Sequence, residues 1–200
     1  MENAFQQYQN IGLAAWFLAS LITLGIFTGG IADQLQFGPQ RICLLYVENY
    51  HKDNATNAFV FDSYSPSCGA SISMGWIGIL LLLAVTGIRF FFIYKKEEPS
   101  RNVVMALAGA AAVWTAISFI MAAIVSSGVG KTCSEFEKSG KSCGAVFGEG
   151  FFANDINIIY KKNINTVNAA VGSGWTLVIF WGLYAAFEFY SYRNASLKWW

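Results

Sequence analysis

The stretch Gly69–Gly87 reads GASISMGWIGILLLLAVTG, and none of its 19 side chains is charged. A helix needs about 20 predominantly apolar residues to cross the hydrocarbon core of a bilayer, because each residue advances the helix by only about 1.5 Å. Apolar character continues to Tyr94, past the single embedded charge of Arg89. The sequence therefore predicts a transmembrane helix over about residues 69–94.

Three more apolar segments of similar length lie along the chain, at about residues 11–32, 103–129 and 167–187. Hydrophobic residues make up 55% of the 200-residue chain and charged residues only 12%, against about 25% charged in a typical soluble domain. This pattern predicts an all-α membrane protein, a four-transmembrane-helix bundle forming one domain over residues 1–200. Its two long loops would cover about residues 33–68 and 130–166, and membrane lipids would surround it.

Small residues recur inside the predicted helices. Gly25 and Gly29 are four residues apart, which is the spacing that lets two membrane helices approach closely. Gly75 lies near the start of the second helix, and Gly109 lies in the alanine-rich third helix. We predict that these four glycines mark helix packing contacts.

The four cysteines, Cys43, Cys68, Cys133 and Cys143, all lie in the loops rather than in the apolar segments. An even number of loop cysteines predicts two disulfides, and therefore an oxidising compartment. Four cysteines allow three connectivities, which the sequence cannot distinguish, although one bridge within each loop is the simplest.

Charge and cysteine placement together predict the topology. The short connector and the C-terminal tail carry Lys95, Arg101 and Arg193, which favours a cytoplasmic position for them and for both chain termini. The second loop also carries five lysines, so the cysteines decide the orientation. Asn54 begins a glycosylation sequon in the first loop, on the predicted extracellular side. These signals place the protein in the plasma membrane or in a secretory-pathway vesicle.

Strand character occurs twice in the first loop, at Ile42–Val47 and at Ala58–Tyr64, with a polar run between the two stretches. This arrangement predicts a β-hairpin. Because two strands alone are only marginally stable, a disulfide would have to tie the hairpin down. The fold class thus gains a small disulfide-tied extracellular domain that contains a β-hairpin.

Aromatic residues cluster in the second loop at Phe147, Phe151 and Phe152. Two interpretations are open. These side chains pack on the first-loop hairpin, or they form a patch that docks a partner protein, since exposed apolar clusters mark interaction surfaces.

Few ionisable side chains lie at membrane depth. Arg89 in the second helix and Glu188 in the fourth lie at matching depth, where they either form an ion pair or snorkel separately to the headgroups. His51, in a polar loop without metal-ligand spacing, is interpreted as a solvated residue. The sequence predicts no enzyme, no cofactor and no metal site.

The chain is nearly neutral, because 13 basic and 12 acidic residues leave a formal net charge of +1. The charged residues are scattered through the loops, without the basic patch of a nucleic-acid-binding protein. Nucleic acid is therefore excluded as an expected partner.

Three short motifs carry a resemblance to a known family: RICLLY at Arg41–Tyr46, SCG at Ser67–Gly69 and SGWTLV at Ser173–Val178. With these motifs the chain resembles the transmembrane protein 179 family, and more distantly the synaptogyrins and other MARVEL-like tetraspans. Claudin-like tetraspans share the layout, but the first loop here has no tryptophan and so lacks their Trp-x-x-Trp element. The resemblance implies four spans and two long loops, and it assigns no functional residue.

These observations lead to a functional hypothesis of an accessory or scaffolding tetraspan that associates with a larger integral membrane protein, such as a channel, a receptor or a vesicle component. The small-residue helices and the aromatic loop motivate it. The alternative is a homo-oligomeric pore or transporter, which is motivated by Arg89, Glu188 and the four-helix layout.

Overall fold

The structure is a computed structural model that describes residues 2–37, 42–47, 50–52, 59–61, 66–95, 97, 99–138, 140–153 and 158–193. For residues 2–9, 37, 50–52, 59–61, 151–153 and 158–159 the description covers the backbone alone. The predicted glycosylation site Asn54 lies outside the described residues.

Helices dominate the described chain: α1 (Glu2–Gly30), α2 (Ser67–Lys95), α3 (Arg101–Lys138), the short α4 (Cys143–Glu149) and α5 (Ile164–Arg193). A π-helical segment, Ile31–Leu35, directly continues α1. Among the residues that the structure describes, four helical stretches are long and apolar enough to cross a membrane, namely Asn10–Leu35, Ser67–Lys95, Arg101–Lys138 and Ile164–Arg193. The predicted fold class is confirmed at this level, and the four spans fit a multi-pass integral membrane protein.

Helix α3 is longer than its hydropathy predicts. Its apolar run was expected to end at 129, yet the helix continues to Lys138 through residues assigned to the second loop. The reason is periodicity, because the buried residues Val125, Val129, Thr132 and Phe136 recur every three or four positions. At 38 residues and about 1.5 Å per residue, α3 is about 57 Å long, well beyond a hydrocarbon core of about 30 Å.

The described residues of the two loops form six short strands: β1 (Gln36–Phe37), β2 (Ile42–Cys43), β3 (Tyr50–Lys52), β4 (Phe59–Phe61), β5 (Phe151–Ala153) and β6 (Ile158–Tyr160). They form a β1-β2 pair and a four-stranded sheet of order β3-β4-β5-β6. Strand β4 pairs antiparallel with β3, Tyr50 opposite Phe61, and parallel with β5, Phe59 opposite Phe151. The four-stranded sheet therefore joins the two loops.

The predicted partners of the first-loop hairpin are wrong. Ile42–Val47 does not pair with Phe59–Phe61, since β2 pairs with β1 and β4 pairs with β3. Pairing of β2 ends at Cys43, and the φ of 60° at Tyr46, three residues later, is outside strand geometry and turns the chain away. The following backbone instead forms hydrogen bonds with α3.

The chain divides into two compact units. One, here called the helical unit, comprises Met1–Leu24, Trp76–Ile120 and Gly174–Trp200. The other, called the loop unit, comprises Gly25–Gly75 and Met121–Ser173 and includes the strands and all four cysteines.

Large apolar side chains lie exposed on the helices of the helical unit. Leu80 on α2 and Leu183 on α5, for example, are 66% and 65% exposed. Contiguous exposure of such side chains is uncommon on soluble monomers but expected where lipid tails replace water. The surface thus supports contact of these helices with membrane lipids.

Candidate functional site

Two disulfides fix the framework of the loop unit. Cys43 in β2 is bonded to Cys68 in the first turn of α2, and Cys133 in α3 is bonded to Cys143 at the start of α4. Their Cα–Cα distances of 5.8 and 5.0 Å lie in the normal range for a disulfide. The predicted disulfides are confirmed, with one bridge within each loop.

Residues 44–47, which follow β2, are held against α3 by hydrogen bonds, an arrangement here called the clasp. One half of it is made by the hydroxyl of Thr132. Thr132 Oγ1 accepts a hydrogen bond from Val47 N at 3.1 Å and donates one to Leu44 O at 2.9 Å. All three residues are buried. Because buried backbone groups need partners, Thr132 replaces the strand partner that this segment lacks.

Tyr46 makes the second half of the clasp. Its hydroxyl donates to Ile124 O at 3.0 Å and lies 2.6 Å from Ser127 Oγ, and its backbone N–H donates to Gly128 O at 3.3 Å. A Cβ on Gly128 would lie 3.0 Å from the Tyr46 ring and 3.1 Å from Leu45. Gly128 therefore permits the loop to lie close against α3, a role that the sequence pattern did not reveal.

Lys162 joins the end of the second loop to the end of α1. Its Nζ donates to Asp33 O and, at 3.1 Å, to Gln36 O, while the next residue's N–H donates to Gln34 Oε1 at 2.7 Å. Burial lowers the pKa of the Lys162 ammonium, and the negative charge of Asp33 opposes that shift. The two carbonyl bonds compensate in part for the loss of water.

Of the three aromatic residues predicted to cluster in the second loop, Phe147 has a described side chain. Phe147 is 1% exposed and packs edge-to-face on Phe136 of α3, with ring centroids 6.4 Å apart. The unexpected extension of α3, rather than the first-loop hairpin, covers it. Phe147 therefore belongs to the core of the loop unit and not to an exposed docking patch. Phe151 and Phe152 lie in β5, where only the backbone is described.

Arg89 and Glu188 face each other from α2 and α5 in the helical unit. Arg89 Nε donates to Glu188 Oε1 at 2.7 Å, and Arg89 Nη2 donates to Glu188 Oε2. The Glu188 side chain is fully buried and that of Arg89 is 12% exposed. Of the two sequence interpretations, the structure has the ion pair, in the bidentate form that is strongest for guanidinium and carboxylate. Each charge is the counter-charge of the other, which lowers the free-energy cost of burying both.

Aromatic rings from three helices pack next to this ion pair. Trp181 meets Trp16 and Trp114 edge-on, at 5.4 and 6.4 Å between ring centroids, and Trp16 stacks on Tyr184 at 4.3 Å. Trp16 Nε1 also donates to Phe180 O at 3.2 Å. Since aromatic pairs contribute about 0.5–1.5 kcal/mol each beyond their buried area, this cluster is a principal tie among α1, α3 and α5.

The structure separates the predicted packing glycines into two groups. Gly75 is buried, and a Cβ there would overlap Thr28. Gly25, Gly29 and Gly109 are exposed, and a Cβ on any of them would meet no described atom within 4 Å. Those three make no close contact with the described residues, because their positions on α1 and α3 are exposed. Gly30, Gly78 and Gly128 make the close contacts instead.

In the described part of the chain, no three His, Cys, Asp or Glu side chains lie close enough together to hold a metal ion. His51 lies in β3, where the backbone alone is described.

Fold and site together define a helical protein with four candidate membrane spans, an internal Arg–Glu pair and two intraloop disulfides. Comparison with known proteins adds no relative, since no family model, curated protein or solved structure matches the chain. The resemblance to the transmembrane protein 179 family, the synaptogyrins and the claudin-like tetraspans stays a prediction.

Proposed function

We propose that this chain is an accessory or scaffolding tetraspan subunit that associates with a larger integral membrane protein, such as a channel, a receptor or a vesicle component. One observation carries the proposal: α3 presents an exposed face of small residues in the helical unit. Its members are Ala106, Gly109, Ala112 and Ala116, spaced three or four apart. Such a face lets the backbone of another membrane helix approach closely.

Lipid tails cover such a face less well than a helix does. Between membrane helices the driving forces are van der Waals contact and hydrogen bonds, because lipid is as apolar as leucine. Gly109 has open space at its Cβ position among the described residues. A partner helix would fill that space with close-packed atoms, and we assign it to a different protein rather than to a second copy.

Location and orientation belong to the same proposal. Both termini would be cytoplasmic and the loop unit extracellular, in the plasma membrane or in a secretory-pathway vesicle. The two disulfides support this placement, since such bonds persist in oxidising compartments. Glycosylation at Asn54 would follow from it, and removal of the glycan by an endoglycosidase would then shift the protein's mobility on a gel.

The test introduces bulk on the small face while keeping the surface apolar. Ala112→Ile with Ala116→Ile should break the association, because two branched side chains hold the partner helix away. Ala84→Ile, at an exposed position of α2, is the matched control. After crosslinking in native membranes and mild-detergent purification, wild type and control should migrate as a heteromeric complex, while the double variant should not. A wild-type chain that runs alone would refute the proposal, and one that pairs only with itself would replace it with a homo-oligomer.

A homo-oligomeric pore or transporter is the alternative. It would need polar groups that face an aqueous path, and Arg89 and Glu188 motivate it only if their pairing opens during transport. Reconstitution of the purified chain in liposomes distinguishes the two functions. Conductance or solute uptake that Glu188→Gln abolishes would favour the alternative.

A further inference from the structure

We propose that the helical unit has a binding site for the headgroup of an anionic phospholipid where the start of α3 meets the end of α5. Arg101 is the first residue of α3, and its guanidinium lies 4.5 Å above the ring of Tyr192 in the last turn of α5. Arg193 is the next residue along α5 and is exposed. Arg101 thus contacts Tyr192, a residue 91 positions away in sequence, and Arg193 directly follows Tyr192 at the exposed end of α5.

The contact with Tyr192 positions Arg101 for a ligand. A guanidinium above an aromatic face is held by attraction to the ring electrons, while its edge keeps its N–H donors exposed. Arg101 is exposed, whereas Tyr192 is half-buried and therefore fixed by its neighbours. A planar fork of donors held this way matches a phosphate group well.

Side chains at the end of α2 and in the last turns of α5 indicate that the ligand is a lipid. Lys95 ends α2 with its ammonium 4.8 Å from the Phe91 ring, and Tyr94 is 88% exposed. Phe189 and Tyr190 are also largely exposed near Arg193. Exposed aromatic residues next to basic ones are typical of the level where headgroups meet acyl chains. A soluble anion would need only the arginine side chains and would gain nothing from the exposed aromatic rings.

Charge at this end of the helices favours an anion. Among the described residues here, Glu97 is acidic and exposed, while Glu188 is already neutralised by Arg89. Lys95, Arg101 and Arg193 therefore leave a positive excess. Anionic lipids gather at such clusters beside membrane helices. This site would exist whether or not the chain also binds a larger membrane protein.

Native mass spectrometry of the full chain in mild detergent tests the site, with added phosphatidylserine or phosphatidylcholine as probes. Wild type should bind phosphatidylserine more tightly, and less so as ionic strength rises. Arg101→Gln with Arg193→Gln should weaken phosphatidylserine binding by about thirtyfold. Lys131→Gln with Lys138→Gln removes the same charge at the other end of α3 and should change binding less than twofold.

A second pair of variants tests the positioning of Arg101. Tyr192→Leu should weaken phosphatidylserine binding severalfold, while Tyr192→Phe keeps the ring and should bind as wild type does. Soluble glycerophosphoserine should not compete, because it lacks acyl chains. Equal binding of both lipids by the wild type, equal losses in the two double variants, or full competition by the soluble headgroup would each overturn the proposal.

Discussion

At the scale of single residues, two buried threonines show how differently the same side chain serves the fold. Thr132 is bonded to two backbone groups of the clasped segment. Thr86, buried in α2, has a hydroxyl without a hydrogen-bond partner among the described residues. Removing a hydroxyl that satisfies buried backbone costs about 1–3 kcal/mol, whereas removing an unsatisfied one costs little or stabilises.

We therefore predict opposite outcomes for two substitutions of the same shape. Thr132→Val should lower the free energy of unfolding by about 1–3 kcal/mol, because it leaves Val47 N–H and Leu44 C=O unpaired. Thr86→Val should leave it unchanged or raise it. Amide hydrogen exchange in micelles, read at the amides next to each threonine, measures both. Equal losses would mean that the clasp does not depend on Thr132.

Sequence reasoning could foresee some residue roles and not others. Arg89 and Glu188 stood out because a charge at membrane depth is rare, so their proximity was one of two explicit expectations. Tyr46, Thr132 and Gly128 carried no such signal. Their importance comes from a turn at Tyr46 that places the chain against α3, and such a contact depends on tertiary structure rather than on local pattern.

At the scale of elements, hydropathy predicted where the four long helices lie in the sequence, but it did not predict which of their faces contact other helices. In a water-soluble helix the apolar stripe reveals which side is buried. A membrane helix is apolar on all sides, so the pattern does not tell whether Gly75 or Gly109 faces a neighbour. For the same reason, hydropathy placed the end of α3 too early, at residue 129. Beyond the uniformly apolar run, burial continues with helical periodicity to Phe136.

Two helical glycines allow a direct test of those faces. A Cβ on Gly30 would lie 2.7 Å from Ala170 Cβ, an atom that cannot rotate away, so Gly30→Ala should destabilise the loop unit by about 1–3 kcal/mol. Gly109→Ala meets open space and should stabilise α3 by about 0.5–1 kcal/mol through helix propensity. Thermal unfolding in micelles reports both shifts. Stabilisation by Gly30→Ala would contradict the close approach of α1 and α5 at this position.

At the scale of the whole molecule, the two units rest on different stabilising interactions. The helical unit has the ion pair and the aromatic cluster, which form between helices. The loop unit has strands of two or three residues, too short to be stable without further ties. The number and loop placement of the cysteines predicted two disulfides, but the sheet that joins β4 to β5 pairs residues about 90 positions apart, and no local pattern indicates such a partner.

The disulfides should therefore matter unevenly across the chain. Cys43–Cys68 spans 25 residues and Cys133–Cys143 spans 10, so loop entropy assigns the first bridge about 1 kcal/mol more stabilisation. Replacing Cys43 and Cys68 by alanine should speed amide hydrogen exchange in β2 and β3 of the loop unit. Amides near Trp181 and Glu188 in the helical unit should keep their protection, because the stabilising contacts around them contain no cysteine.

Replacing Cys133 and Cys143 should have the smaller effect on the free energy of unfolding. Equal loss of protection throughout the chain would show instead that the molecule unfolds as one cooperative unit.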